Sequence, residues 1–92
     1  MGVDWLDIQF RLERRFDIKL NRMDLERLWD EERQDLTAGD LLSLVSDTLQ
    51  TQNRKVSFSA WTRVRLEVAI ALGVSPQKIH RESWLIADLG ME

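Results

Sequence analysis

The feature that most constrains the fold is an apolar spacing of three, four and four residues that occurs twice in the chain. It defines one face in each of two segments: Trp5, Ile8, Leu12 and Phe16 in the first, and Trp61, Val64, Val68 and Leu72 in the second. Side chains at these intervals lie on one face of an α-helix, whereas a half-buried strand alternates every second residue. The chain is therefore expected to consist of amphipathic helices packed around one core.

The first of these segments also contains a competing pattern. Leu6, Ile8 and Phe10 alternate with polar residues, as they would in a half-buried strand. We favour a helix over residues 3–16 because its later part, Leu-Glu-Arg-Arg, has high helix propensity, and because Asp4 suits the positive end of a helix dipole.

Two further helices are indicated by their starts. Thr37 is followed three residues later by Asp40, which is the pattern of a capping box, directly before an apolar run that reaches Leu49. A shorter helix is expected over residues 23–32, with Asn21 as its N-cap. Residues 50–59 are polar and lack periodicity, so they are expected to link two helices. The predicted fold class is all-α, a small four-helix bundle in one domain spanning residues 1–92.

Composition excludes several classes of function. The chain has 92 residues and no cysteine, which rules out disulfides, thiolate metal sites and a cysteine nucleophile, and fits a reducing compartment. No apolar run approaches the roughly 20 residues that span a bilayer. The net charge is −3 and the arginines are interspersed with acids, unlike the basic stripe of a nucleic-acid binder. We expect a cytoplasmic protein that binds neither nucleic acid nor membrane.

The last twenty residues contain three short motifs in a distinctive order. Leu72-Gly73-Val74 is followed by Ser75-Pro76 and then by Asp88-Leu89-Gly90. Gly73 suits the left-handed position after a helix, and the Pro suits a new turn. This order resembles the first inter-helix loop of acyl carrier proteins. In that family an apolar or small residue, an acid and the serine that carries phosphopantetheine come next, and Met91 and Glu92 fit the first two places.

The beginning of the chain resembles the part of the family that follows this serine. Val3-Asp4 matches the start of the second family helix, and Thr37–Leu42 matches the start of the last one. Residues 88–92, one missing residue and then Val3-Asp4 would restore the family pattern, and Gly2 stands where the serine is expected. The resemblance implies a carrier domain in circularly permuted order, with the family helices in the order 2-3-4-1.

The resemblance also implies boundaries and a site. Residues 3–49 match the part after the serine, residues 50–59 form a linker, and residues 60–92 match the first helix and its loop. The implied cofactor site is the position of Gly2 and its flanking residues: Asp88, Leu89, Gly90, Met91, Glu92, Val3 and Asp4. Because glycine has no hydroxyl, phosphopantetheine is not expected on this chain, which would be inactive as a carrier in this form. The other serines lack the family context and suit caps or surface positions.

The implied function is acyl transfer of the fatty-acid or polyketide type. The implied partners are a phosphopantetheinyl transferase and acyl-transferring enzymes. Arg11, Arg14 and Arg15 depart from the family, in which this helix is usually acidic, so the choice of partner is open. An engineered permutant, a natural rearrangement and a fragment across two tandem carriers all give this order, and either one chain or two chains exchanging halves could close the fold.

Two other classes of function are weighed against the carrier. The alternative is a helical protein-protein interaction module that binds a partner helix through an exposed Leu/Trp groove. An enzyme is not expected, because no nucleophile-base pair, phosphate loop or metal-ligand spacing is present. Asp4, Asp7, Asp88 and Glu92 could form a carboxylate cluster but lack a fixed ligand spacing, and His80 has no partner ligand in the sequence. The four tryptophans are expected in the core and at its rim.

Overall fold

Four α-helices account for most of the secondary structure in the computed structural model, which describes residues 3–92 apart from the side chains of Val3 and Arg22. The helices are α1 (Val3–Phe16), α2 (Arg22–Leu28), α3 (Ala38–Thr51) and α4 (Ala60–Leu72), followed by a 3₁₀ turn at Pro76–Lys78. Within residues 3–92 two isolated β-bridges form but no strand. The prediction of a small all-α bundle is confirmed at this level.

The first helix resolves the conflict between the two sequence patterns. The residues of the helical stripe are buried: Trp5, Ile8, Leu12 and Phe16. Leu6 and Phe10, which belong only to the alternating pattern, are 64% and 57% exposed. The helical periodicity therefore decides which side chains face the core, and the alternation has no structural counterpart.

The two predicted caps are present, but the second helix is shorter than expected. Thr37 Oγ1 accepts a hydrogen bond from Asp40 N at 3.1 Å, and Asp40 Oδ2 accepts one from Thr37 N at 2.9 Å. Asn21 forms the same kind of capping box with Asp24. The prediction that this helix reaches residue 32 is wrong, because α2 ends at Leu28.

Asp30 explains where the second helix ends. Its carboxylate accepts hydrogen bonds from the backbone N–H groups of Glu32 and Arg33, each at 3.0 Å. A short acidic side chain that binds nearby backbone groups offers them an alternative to helical hydrogen bonds. The chain therefore turns sharply, and the Asp30 N–H donates to the carbonyl of Asp35 at 2.9 Å.

The last helix is the centre of the bundle. Both α1 and α3 pack against α4, and α2 packs against α3. Val64 and Val68 face the core, whereas Trp61 and Leu72 are only half-buried. The helix ends at Gly73 in the left-handed conformation with φ +67°, as its sequence predicts. Of the tryptophans, Trp5 is buried and the other three are half-buried, which confirms their expected place in the core and at its rim.

The connection between α3 and α4 crosses one end of the bundle. Arg54 in this connection donates hydrogen bonds to the carbonyl oxygens of Phe16 and Asp17 at 2.8 and 2.7 Å. These carbonyls lie at the end of α1, where intrahelical partners are lacking. The polar connection is thus tied to the bundle through one side chain. Among residues 3–92, no helix combines the length and apolar character that a membrane crossing requires.

Candidate functional site between the first helix and the last loop

The last two residues return to the first turn of α1. The backbone N–H of Glu92 donates a hydrogen bond to Asp4 Oδ2 at 3.0 Å. Met91 is buried, and its N–H donates to the carbonyl of Leu85 at 2.9 Å. Two parts of the chain that are 88 residues apart in sequence are therefore adjacent in space. Gly2 lies outside the described residues, and Val3 is described only through its backbone at the start of α1.

The loop that delivers Glu92 to this position is held by its own hydrogen bonds. Asp88 Oδ2 accepts from Trp84 N at 2.8 Å, while Asp88 N and Leu89 N donate to the Trp84 carbonyl at 2.9 and 3.1 Å. Gly90 follows with φ +76°, a left-handed conformation that most other residues adopt only with strain. The Asp88 carboxylate therefore acts as a local cap. The implied site residues Asp88, Leu89, Gly90 and Met91 form one ordered turn beside α1.

Asp35 is the residue of this region that sequence reasoning missed. It is 2% exposed, and its two oxygens accept hydrogen bonds from three backbone N–H groups: Leu36 at 2.8 Å, Ile86 at 3.0 Å and Ala87 at 2.9 Å. A buried carboxylate is tolerated when hydrogen bonds satisfy it. Asp35 thus fixes the last loop to the segment before α3. Its sequence setting, between polar residues 33 and 34 and the apolar Leu36, gave no sign of this burial.

The start of α3 forms the second attachment for the same loop. Ala38 N donates to the Ser83 carbonyl at 3.0 Å, and Gly39 N donates to the Arg81 carbonyl at 2.7 Å. The first N–H groups of a helix have no intrahelical acceptor, so the loop carbonyls satisfy them. A Cβ atom on Gly39 would lie 2.8 Å from the Arg81 carbonyl oxygen. The glycine of the Thr-Ala-Gly-Asp motif therefore permits this close approach.

The acids that were considered as a cluster have separate partners. Asp7 pairs with Arg11 at 3.0 Å, and Arg11 also lies 3.7 Å from Glu67 on α4. Within residues 3–92 no group of three or more His, Cys, Asp or Glu side chains is arranged to hold a metal ion. His80 is exposed in the last loop, and its backbone N–H donates to Ser83 Oγ at 2.9 Å.

The polar groups of this site are a carboxylate of α1, a backbone N–H and an exposed glycine turn. The start of a 14-residue helix carries the positive end of the helix dipole, which favours a negatively charged substituent. Searches against protein-family models, curated proteins and solved structures find no match to this chain.

Proposed function

We propose that this chain is an acyl-carrier-like domain for fatty-acid or polyketide-type acyl transfer, in circularly permuted order. In this proposal α1, α2 and α3 correspond to the second, third and fourth helices of the family, and α4 with the last loop corresponds to the first. The attachment position is residue 2, where glycine replaces the serine. The chain as it stands therefore has the carrier architecture without the hydroxyl that would receive phosphopantetheine.

The hydrogen bond between Glu92 N and Asp4 Oδ2 carries this proposal. The resemblance requires that residue 92 and residue 3 be separated by a single residue of the family pattern. One intervening residue spans at most about 7 Å between its neighbouring Cα atoms. The 3.0 Å contact between Glu92 and the residue after Val3 supports such a spacing.

The structure of the last loop lends further support. The motif residues Asp88, Gly90 and Gly39 each have a specific physical role, as a local cap, a left-handed turn and a point of close approach. Asp35 and the first turn of α3 hold the loop against the bundle through backbone hydrogen bonds. These contacts support the proposal because they hold the residues that would precede the family's serine beside the start of α1.

The test is enzymatic attachment of phosphopantetheine to a restored serine. The unaltered chain, Gly2→Ser and Gly2→Ala are incubated with coenzyme A and a broad-specificity phosphopantetheinyl transferase, and intact masses are measured. We expect only Gly2→Ser to gain the mass of one phosphopantetheine, because it alone supplies a hydroxyl. Gly2→Ala controls for the effect of a side chain at this position.

The other outcomes have definite meanings. Modification of the unaltered chain or of Gly2→Ala would show that the attachment site is elsewhere. If Gly2→Ser gains nothing while its circular dichroism matches that of the unaltered chain, the transferase does not recognise this surface and the carrier proposal fails.

A second candidate, the helical interaction module, is favoured by the outward face of α1. Leu6 and Phe10 are one helical turn apart and largely exposed, a pattern typical of side chains that meet a partner helix. This candidate predicts saturable binding of an amphipathic helical peptide that Phe10→Ser weakens. Such binding, together with an unmodified Gly2→Ser protein, would favour the module over the carrier.

A further inference from the structure

A small cleft at the end of α1 concentrates positive charge. Its volume is about 160 Å³, and its lining includes Arg15, Arg54, Lys55 and Arg63. Asp17 is the one acid in the same lining, so four cations and one acid leave a formal charge of +3. The whole chain carries −3, so the remainder of the molecule carries −6. The cleft is therefore a basic site on an otherwise acidic protein.

The arginines of this cleft differ from the other arginines in their partners. Elsewhere among the described side chains each arginine is engaged: Arg11 and Arg27 with acids, Arg14, Arg33 and Arg81 over aromatic rings, and Arg65 with a backbone carbonyl. Arg15 and Arg63 are exposed and have no such partner among these residues. The two uncommitted arginines therefore line the same cleft, although they lie on different helices.

Arg54 gives the cleft a fixed element. Its guanidinium is held by the carbonyls of Phe16 and Asp17 and by the side chain of Gln52. None of these partners neutralises its charge, because carbonyl and amide oxygens are not anions. Arg54 is therefore held in a constrained position without an anionic partner, while Arg15, Lys55 and Arg63 are exposed around it.

We propose that this cleft binds a phosphoryl group. Arginine guanidinium groups match the geometry of phosphate oxygens, and lysine adds a mobile point charge. A space of about 160 Å³ suits a phosphate or pyrophosphate moiety, whereas pockets for whole drug-sized ligands have volumes of about 300–1,000 Å³. The rest of the ligand would lie outside the cleft. This inference does not depend on the proposed carrier function.

The phosphoryl group could belong to a soluble phosphate ester or to a phospholipid headgroup. Phe58, in the same connection as Lys55, is fully exposed. Aromatic side chains beside basic residues suit the interface of an anionic bilayer. The phosphoryl group would be bound in the same way in both cases. Phe58 would contribute to the binding of a phospholipid bilayer but not to the binding of a soluble ester.

The test is a titration of the ¹⁵N-labelled chain with inorganic pyrophosphate at low ionic strength, in which amide chemical shifts are measured at each pyrophosphate concentration. We expect saturable shifts at residues 15, 55 and 63 that weaken as salt is added. Arg15→Gln/Arg63→Gln should bind at least about tenfold more weakly, because each lost charge-assisted hydrogen bond contributes substantially to affinity. Lys19→Gln/Lys78→Gln removes the same charge from exposed residues outside the cleft and should bind as the unaltered chain does.

Two further experiments identify the source of the phosphoryl group and test whether the cleft is specific for it. Co-sedimentation with phosphatidylglycerol vesicles that is lost in both Arg15→Gln/Arg63→Gln and Phe58→Ser assigns the phosphoryl group to a lipid. Pyrophosphate binding without co-sedimentation with the vesicles assigns it to a soluble ester. If neither ligand binds, if the Lys19/Lys78 control weakens binding equally, or if poly-glutamate binds as tightly as pyrophosphate, the proposal is overturned.

Discussion

The Asp35 carboxylate joins two segments that are distant in sequence. It accepts hydrogen bonds from three backbone N–H groups. Two of these belong to Ile86 and Ala87, which lie 51 and 52 positions further along the chain. No cation is paired with it in the described structure, so these N–H groups provide its main stabilisation. Together with the backbone hydrogen bonds from the start of α3, this side chain therefore fixes the orientation of residues 84–92.

Replacing Asp35 by Asn should lower the free energy of unfolding by about 2–4 kcal/mol. An amide has one oxygen, so at least one of the three N–H groups loses its acceptor, and the new NH₂ group faces donors. Urea denaturation measures the change. Asp47→Asn, on the exposed side of α3, is the control and should change the stability by less than about 0.5 kcal/mol. Equal stability of the two variants would contradict the role of Asp35.

Gly39 should be intolerant of a methyl group even though it lies in a helix. Alanine in place of a helical glycine normally stabilises by about 0.5–1 kcal/mol. Here the new Cβ would lie 2.8 Å from the Arg81 carbonyl oxygen, so the last loop must move. We expect Gly39→Ala to destabilise by about 1–3 kcal/mol in thermal or urea unfolding. Ser43, exposed on the same helix, provides the control, and Ser43→Ala should leave the free energy of unfolding unchanged or raise it. If Gly39→Ala also leaves this free energy unchanged or raises it, the close approach at Gly39 is refuted.

At the scale of elements, the amphipathic patterns were sufficient to predict most of the helices. The stripe from Trp5 to Phe16 and the Thr37 capping box give α1 and the start of α3 correctly, because both signals are local in sequence. The end of α2 was predicted wrongly, since Asp30 competes for backbone groups that the apolar pattern does not reveal. Asp35 and the clearance at Gly39 involve partners more than 40 residues away, which no local pattern contains.

The last loop behaves as an element of the core, and Met91 is its clearest anchor. Met91 is 3% exposed, whereas Ile86 in the same loop is 38% exposed. Met91→Ala should therefore lower the free energy of unfolding by about 2–3 kcal/mol, and Ile86→Ala by less than about 1 kcal/mol. Urea denaturation of both variants tests this difference. If Met91→Ala lowers the free energy of unfolding no more than Ile86→Ala does, the loop is not packed against the bundle.

At the scale of the whole molecule, the two ends of the described chain meet away from the connection between α3 and α4. The connection at residues 52–59 crosses one end of the bundle, and Glu92 meets Asp4 at another point of the surface. Joining residue 92 to residue 3 and opening the chain in the connection should therefore leave the packing of the four helices unchanged. This rearrangement would also give the helix order of the proposed carrier family.

The decisive variant begins at residue 55, continues through Glu92, inserts one serine, and runs from Val3 to Arg54. We expect helical circular dichroism, a cooperative thermal transition and a light-scattering mass of one chain, because the new junction joins residues that are already adjacent. The inserted serine should accept phosphopantetheine. A matched variant opened at Ser46, inside α3, should lose the cooperative transition. If the rearranged chain unfolds or dimerises, the two halves do not form one site; if it folds but stays unmodified, the permuted architecture stands without the carrier function.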